Sequence, residues 1–160
     1  MVELFFLRHG LADRAAWDGP DDLRPLTPEG KERMAQEAEV MKSLGLDLGL
    51  ILTSPLTRAY QTAEIAAIQV PSKQGLVVDE RLRPGFDIPA LVAILGDYPD
   101  LDSLMVVGHE PDFSEVIGGV IGGAQLDVKK GSLARVQLYN IEPPRGELVW
   151  LIPPKVLIRA

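Results

Sequence analysis

Val2-Glu3-Leu4-Phe5-Phe6-Leu7-Arg8-His9-Gly10 is the stretch on which the fold turns. Val2 to Leu7 is almost continuously apolar, the pattern of a central strand covered on both faces rather than one with a wet side. The run stops at Arg8, so polar chemistry begins where the strand ends. A loop rich in Asp, Gly and Pro leads to Leu26. Thr27-Pro28-Glu29 then supplies an N-cap, a proline at the first helical position and an acid in the first turn. The helix is expected to reach about Leu44, with Gly45 as its left-handed stop. Met34, Ala38 and Met41 recur at helical spacing and mark the face laid on a sheet, while Lys31, Glu32, Glu39 and Lys42 face water.

The alternation continues along the chain. Leu48 to Thr53 reads as a second strand ended by Ser54-Pro55. The next helix, starting between Pro55 and Thr57, carries Arg58 in its first turns and Ala59, Ala63 and Ala66 on a close-packing side. Leu76 to Val78 is a third strand, Asp79 to Asp87 a polar loop, and Ile88 to Leu95 a short helix capped by Asp87. Ser103 to Val107 is a fourth buried strand, followed by Gly108-His109-Glu110-Pro111 and a glycine-rich helix from Asp112 to about Ile121. Gly118, Gly119, Gly122 and Gly123 cost helix propensity and mark fraying or close backbone packing; no Lys-Ser/Thr follows, as a phosphate-cradling loop requires. Ser132 to Tyr139 and Leu148 to Ile152 form a strand pair joined through Pro143-Pro144-Arg145-Gly146, and Pro153-Pro154 ends the second strand. The pattern predicts one α/β domain over residues 1–160. It is a three-layer sandwich with a mostly parallel central sheet, helices on both faces and an antiparallel edge.

Composition narrows the chemistry. A 160-residue chain that is 46% hydrophobic and 24% charged is the size and make-up of one cored domain. Its formal charge of -7 disfavours a nucleic-acid or anionic-membrane surface, so an anionic substrate must be met by a local cluster of cations. With no cysteine and two histidines, thiol chemistry is excluded and a conventional transition-metal site has little to draw on. The start of the chain reads as a strand, not a basic leader. No segment approaches the roughly 20 apolar residues needed to cross a bilayer. A cytoplasmic protein without a cofactor is the resulting expectation.

Arg8-His9-Gly10 falls at the carboxyl end of the first strand, where open α/β sheets place their ligands. Arg8 offers a planar fork of donors, His9 a nitrogen nucleophile, and Gly10 a turn without a side chain to block substrate. Alone, the tripeptide fits a charged strand end with a hydrogen-bonded histidine better than it fits a catalytic site. Gly108-His109 repeats the arrangement after another buried strand, and Arg58 follows a third. Arg8, Arg58 and both histidines thus make a cationic pocket whose complement is a compact dianion such as phosphate.

Leu7-Arg8-His9-Gly10, the run from Leu52 through Ser54-Pro55-Leu56-Thr57-Arg58 to Ala63, and Val107-Gly108-His109-Glu110-Pro111 resemble, in order and strand context, the histidine phosphatase superfamily. Within it the likeness is to the small phosphohistidine phosphatases of the SixA type, and Lys130-Gly131-Ser132 is similar to a late segment of those members. The resemblance implies that His9 is the phosphorylated nucleophile and that Arg8, Arg58 and protonated His109 bind the phosphoryl oxygens. It further implies metal-independent hydrolysis of phosphorylated histidine on a phosphotransfer protein through a covalent phosphohistidine. Glu80 is the positional candidate for a general acid or water-orienting base, with Asp21 and Glu110 behind it; Glu80 also fits a loop acid paired with Arg81 or Arg83. Three alternatives stay open: hydrolysis of a small phosphorylated metabolite, a non-catalytic phosphate-binding module, and a zinc site joining the histidines to Asp112 or Glu110.

Overall fold

The computed structural model describes residues 1–159 and buries the first strand as its sequence requires. β1 (Val2–Arg8) is paired on both edges, and Leu4, Phe6 and Leu7 have no exposed surface. It shares one sheet with β2 (Leu50–Thr53), β3 (Leu76–Val78), β4 (Ser103–Gly108), β5 (Leu133–Ile141) and β6 (Pro144–Ile152), in the order β3-β2-β4-β1-β5-β6. β3, β2, β4 and β1 are parallel, and β5 and β6 add the expected antiparallel edge.

Because side chains alternate across a strand, β1 feeds two cores. Leu4 and Phe6 join the core under α3 (Ile88–Asp97) and α4 (Asp112–Val120). Phe5 and Leu7 join the one under α1 (Pro28–Ser43), α2 (Thr57–Gln69) and α5 (Pro154–Arg159). Helices therefore cover both faces, as the unbroken apolar run demanded. Thr27 caps α1 by accepting the Gly30 amide at 2.9 Å, and Asp87 caps α3 by accepting the Ala90 amide at 2.9 Å.

Some boundaries move for local reasons. β2 starts at Leu50 rather than Leu48, which makes only an isolated bridge to Ser72. The final strands extend past the expected turn until Ile141 faces Pro144, leaving Glu142-Pro143 as the connection. Pro144 is tolerated there because β6 is an edge strand with no partner on its outer side. After β6, Pro153-Pro154 stops the strand but also starts α5, a short helix not expected from the sequence. Gly118 is a close approach rather than fraying: a Cβ there would lie 2.2 Å from the Ala124 carbonyl oxygen.

Candidate active site

β2, β4 and β1 are adjacent and parallel, so their carboxyl ends lie on one edge of the sheet. That register brings Ser54, His109 and His9 together: the His9 amide donates to the Gly108 carbonyl at 3.1 Å and the Ser54 amide to the Val107 carbonyl at 3.0 Å. The two imidazole rings stand 5.4 Å apart, centre to centre. Beneath them the Gly131 amide donates to the carbonyls of Arg8 and His9 at 3.1 and 3.0 Å, which ties the Lys130-Gly131-Ser132 turn to the end of β1.

The His9 Nδ1–H donates to the Gly10 carbonyl at 2.8 Å, fixing the tautomer and leaving Nε2 with a free lone pair. Burial pushes the ring's pKa down to about 3, helped by the charges of His109, Arg58 and Arg8 and opposed by the Gly10 bond. His9 is thus a neutral nitrogen base at pH 7. The Ser54 hydroxyl accepts the Leu56 amide at 3.2 Å and lies 2.8 Å from His109 Nε2. With the hydroxyl donating to Nε2, the ring proton of His109 sits on Nδ1, a buried atom without a protein partner. Burial and then Arg58 push His109 down to about 4, with Asp21 pulling the other way. The protonated His109 expected from sequence is therefore corrected. Buried beside Arg58 and Arg8, it is held by the free protein as a neutral N–H donor, and a bound dianion would add to Asp21 in favouring its charged form.

Arg8 donates through Nη1 to the Val128 carbonyl at 2.9 Å, and Arg58 donates to the backbone carbonyl and carboxylate of Asp21 at 2.9 and 3.2 Å. Burial lowers both guanidinium pKa values, but arginine stays charged. Arg8 Nε, Arg58 Nε and His109 Nδ1 are buried donors with no partner, which is what a tetrahedral oxyanion would satisfy. These residues line a cleft of about 360 Å³ together with Arg14, Asp21, Arg24, Pro84, Glu110 and Lys130.

Three acids were candidates, and each is engaged. Glu80 does not line this cleft; its carboxylate accepts from Arg83 at 2.6 Å, so the loop-pair reading holds geometrically. Arg83 also pairs with Asp22, and Arg81 with Asp79 and Asp97. Asp21 lines the cleft, but Arg58 and Arg24 outweigh its desolvation and keep its carboxyl below the usual range. Glu110 accepts from the Ser114 amide at 2.8 Å through one oxygen and from the Ser114 hydroxyl through the other. Asp112, named for a zinc site, accepts the Gly85 amide at 2.8 Å, and among the described residues no three His, Asp or Glu side chains gather to hold a metal.

Arg24 was missed by the sequence reading. It is buried, donates to the Ala12 carbonyl and pairs with Asp21, 3.2 Å away. It lies in the Asp/Gly/Pro-rich loop, where arginine normally faces water, so only its burial distinguishes it.

The depressed histidine pKa values carry a stability prediction. Between about pH 4 and the unfolded value near 6.5, the unfolded chain binds protons that His9 and His109 refuse, so stability falls on acidification through that window. His109→Gln is expected to flatten the dependence of Tm on pH there. An unaltered slope in the variant would show that His109 is not buried neutral.

Comparison with known proteins places this geometry. A family model described as the histidine phosphatase superfamily (branch 1) matches residues 4–84, a span that includes Arg8, His9 and Arg58. An uncharacterized protein of Picosynechococcus sp. is 38% identical over 98% of this chain and 99% of its own length. The phosphohistidine phosphatase SixA of Escherichia coli is 29% identical over 69% of this chain and 68% of its own. Among solved structures, protein histidine phosphatase SixA complexed with tungstate superimposes with a TM-score of 0.86 at 24% identity, covering 96% of this chain and 98% of that one, and so shares its fold. The chain belongs to the histidine phosphatase superfamily (branch 1) and is a phosphatase-type hydrolase.

Proposed function

We propose that the protein hydrolyses phosphohistidine carried on a phosphotransfer protein, with His9 as the nucleophile. The observation that carries this reading is the state of the cleft carboxylates. Asp21 is ion-paired with two arginines and Glu110 is bound at both oxygens. Neither is a free acid poised to protonate an alkoxide leaving group. A phosphoramidate makes less demand, because its leaving imidazole departs readily once its nitrogen is protonated.

In the first step His9 Nε2 forms a bond to phosphorus as the bond to the substrate imidazole nitrogen breaks and that nitrogen keeps the electron pair. Arg8, Arg58 and the His109 Nδ1–H hold the three equatorial oxygens, where the charge is spread. In the second step a water oxygen bonds to phosphorus, the His9–phosphorus bond breaks, and inorganic phosphate leaves with His9 restored. The Gly10 carbonyl offers the imidazolium of the intermediate a continuous acceptor at Nδ1.

Phosphate release in EDTA, from a phosphohistidine-bearing phosphotransfer domain and from an alkyl phosphate at matched concentration, tests the reading. Turnover of the phosphoprotein at least about 100-fold faster in kcat/KM is expected, the ratio a missing general acid typically imposes. Comparable or preferred hydrolysis of the alkyl ester would replace it with small-molecule phosphomonoesterase activity.

A further inference from the structure

Six arginines of the described chain are already paired with carboxylates, but two cations at the mouth of the cleft are not. Arg14, in the loop after β1, and Lys130, in the turn that braces Arg8 and His9, make no side-chain hydrogen bond or ion pair among the described residues. Both are exposed and both line the phosphoryl cleft. Both also line an adjoining groove of about 690 Å³ between the loop after β1 and the start of α1. The two carboxylates of that groove are occupied elsewhere: Asp13 accepts the Ala15 amide at 2.9 Å and Glu29 pairs with Arg33 at 2.8 Å. The charge of Arg14 reaches far enough inward to act on Arg58.

An unpaired cation pair beside an already cationic pocket is costly in self-repulsion, although the chain as a whole carries a net charge of -7. The arrangement makes sense if a second anion arrives with the phosphoryl group. The geometry points to Arg14 and Lys130 as a second anion subsite that receives surface carboxylates flanking the phosphohistidine of an acidic partner protein. This rests on the phosphoprotein reading above and adds to it the kind of surface the partner presents. Elsewhere the acidic body of the enzyme repels such a partner, so the subsite steers its approach and selects its orientation.

The test compares kcat/KM for wild type, Arg14→Gln, Lys130→Gln and the double variant on two substrates, a phosphohistidine-bearing phosphotransfer domain with an acidic face and phosphoramidate, which has no second anion. Each single variant is expected to lose about threefold and the double about tenfold on the phosphoprotein, mostly in KM, the range for exposed charges at a rim. On phosphoramidate the double variant should lose no more than about twofold. Raising salt from about 0.05 M to about 0.5 M should erase the difference between wild type and double variant on the phosphoprotein, because screening acts on exposed charges first. Equal losses on both substrates would overturn the subsite and make the two residues part of phosphoryl binding. No loss on the phosphoprotein at low salt would overturn it outright. A wild type that turns over phosphoramidate but not the phosphoprotein would overturn the functional reading itself, a result distinct from either.

Discussion

His9→Ala is expected to lower kcat/KM on phosphohistidine by about 10⁴-fold or more, because it removes the atom proposed to bond phosphorus. The expectation rests on three features of the site. The Nδ1–H is committed to the Gly10 carbonyl at 2.8 Å, Nε2 is therefore the reactive nitrogen, and burial holds the ring neutral down to about pH 3. A histidine with the ordinary pKa near 6.5 would lose nucleophilicity as pH dropped below 6. Here the acid limb of kcat/KM, which reports the free enzyme, should lie below about pH 5. Rapid quenching of wild type should trap acid-labile phosphate on the protein, and the variant should carry none. Activity within tenfold of wild type, or a phosphoenzyme that persists in His9→Ala, would sink the covalent mechanism.

The second large effect is expected far from the chemistry, at Glu37. This residue sits three positions after Met34 and four before Met41, squarely on the apolar stripe of α1, and is only 2% exposed. Among the described residues it makes no ion pair, and its Oε2 is buried without a partner. Arg33, one turn earlier, is exposed and turned to Glu29 at 2.8 Å. Glu37 packs against Gly131, where a Cβ would lie 2.7 Å from its Oε1, so the carboxyl abuts the turn that braces Arg8 and His9. The surrounding cavity also carries Arg8, Asp127, Lys129 and Lys130. Burial pushes its pKa up to about 8, with Arg33 only partly opposing.

The linkage follows from that value. Below about pH 4.5 both folded and unfolded chains bind the proton. Between there and about 8 only the folded chain does, so stability falls as pH rises and the full loss is reached above 8. By proton linkage, that window corresponds to up to about 3 kcal/mol at pH 7. Glu37→Gln keeps the shape and removes the titration. It is expected to match wild type near pH 4.5 and to exceed it by about 4 kcal/mol in denaturant unfolding at pH 8 to 8.5. Equal stability at the higher pH would mean that the carboxylate finds solvent or a cation when it ionises.

Much of this was legible in the chain itself. The apolar run of β1 declared a strand covered on both faces. Thr27-Pro28-Glu29 and Asp87 announced helix starts through capping chemistry that needs only neighbouring residues. Arg8, His9, Arg58 and His109 could be picked out because each follows an apolar strand, a local signal. The Glu80 assignment rested on position along the chain alone. In space the same loop turns its carboxylate to Arg83 and leaves Asp21 and Glu110 nearest the pocket.

What the sequence by itself determined was the order of elements and the residue types at the ends of the central strands, because periodicity and capping are properties of a few adjacent residues. What only the tertiary structure decided was every property that depends on groups distant in sequence. The strand order β2-β4-β1 set two histidines 5.4 Å apart. Burial beside two guanidiniums then made His109 neutral, buried Arg24 against Asp21, and turned Glu37 from a helix-surface acid into a neutral carboxyl beneath the catalytic turn. Desolvation and charge coupling act through space, and chain position carries almost no information about either.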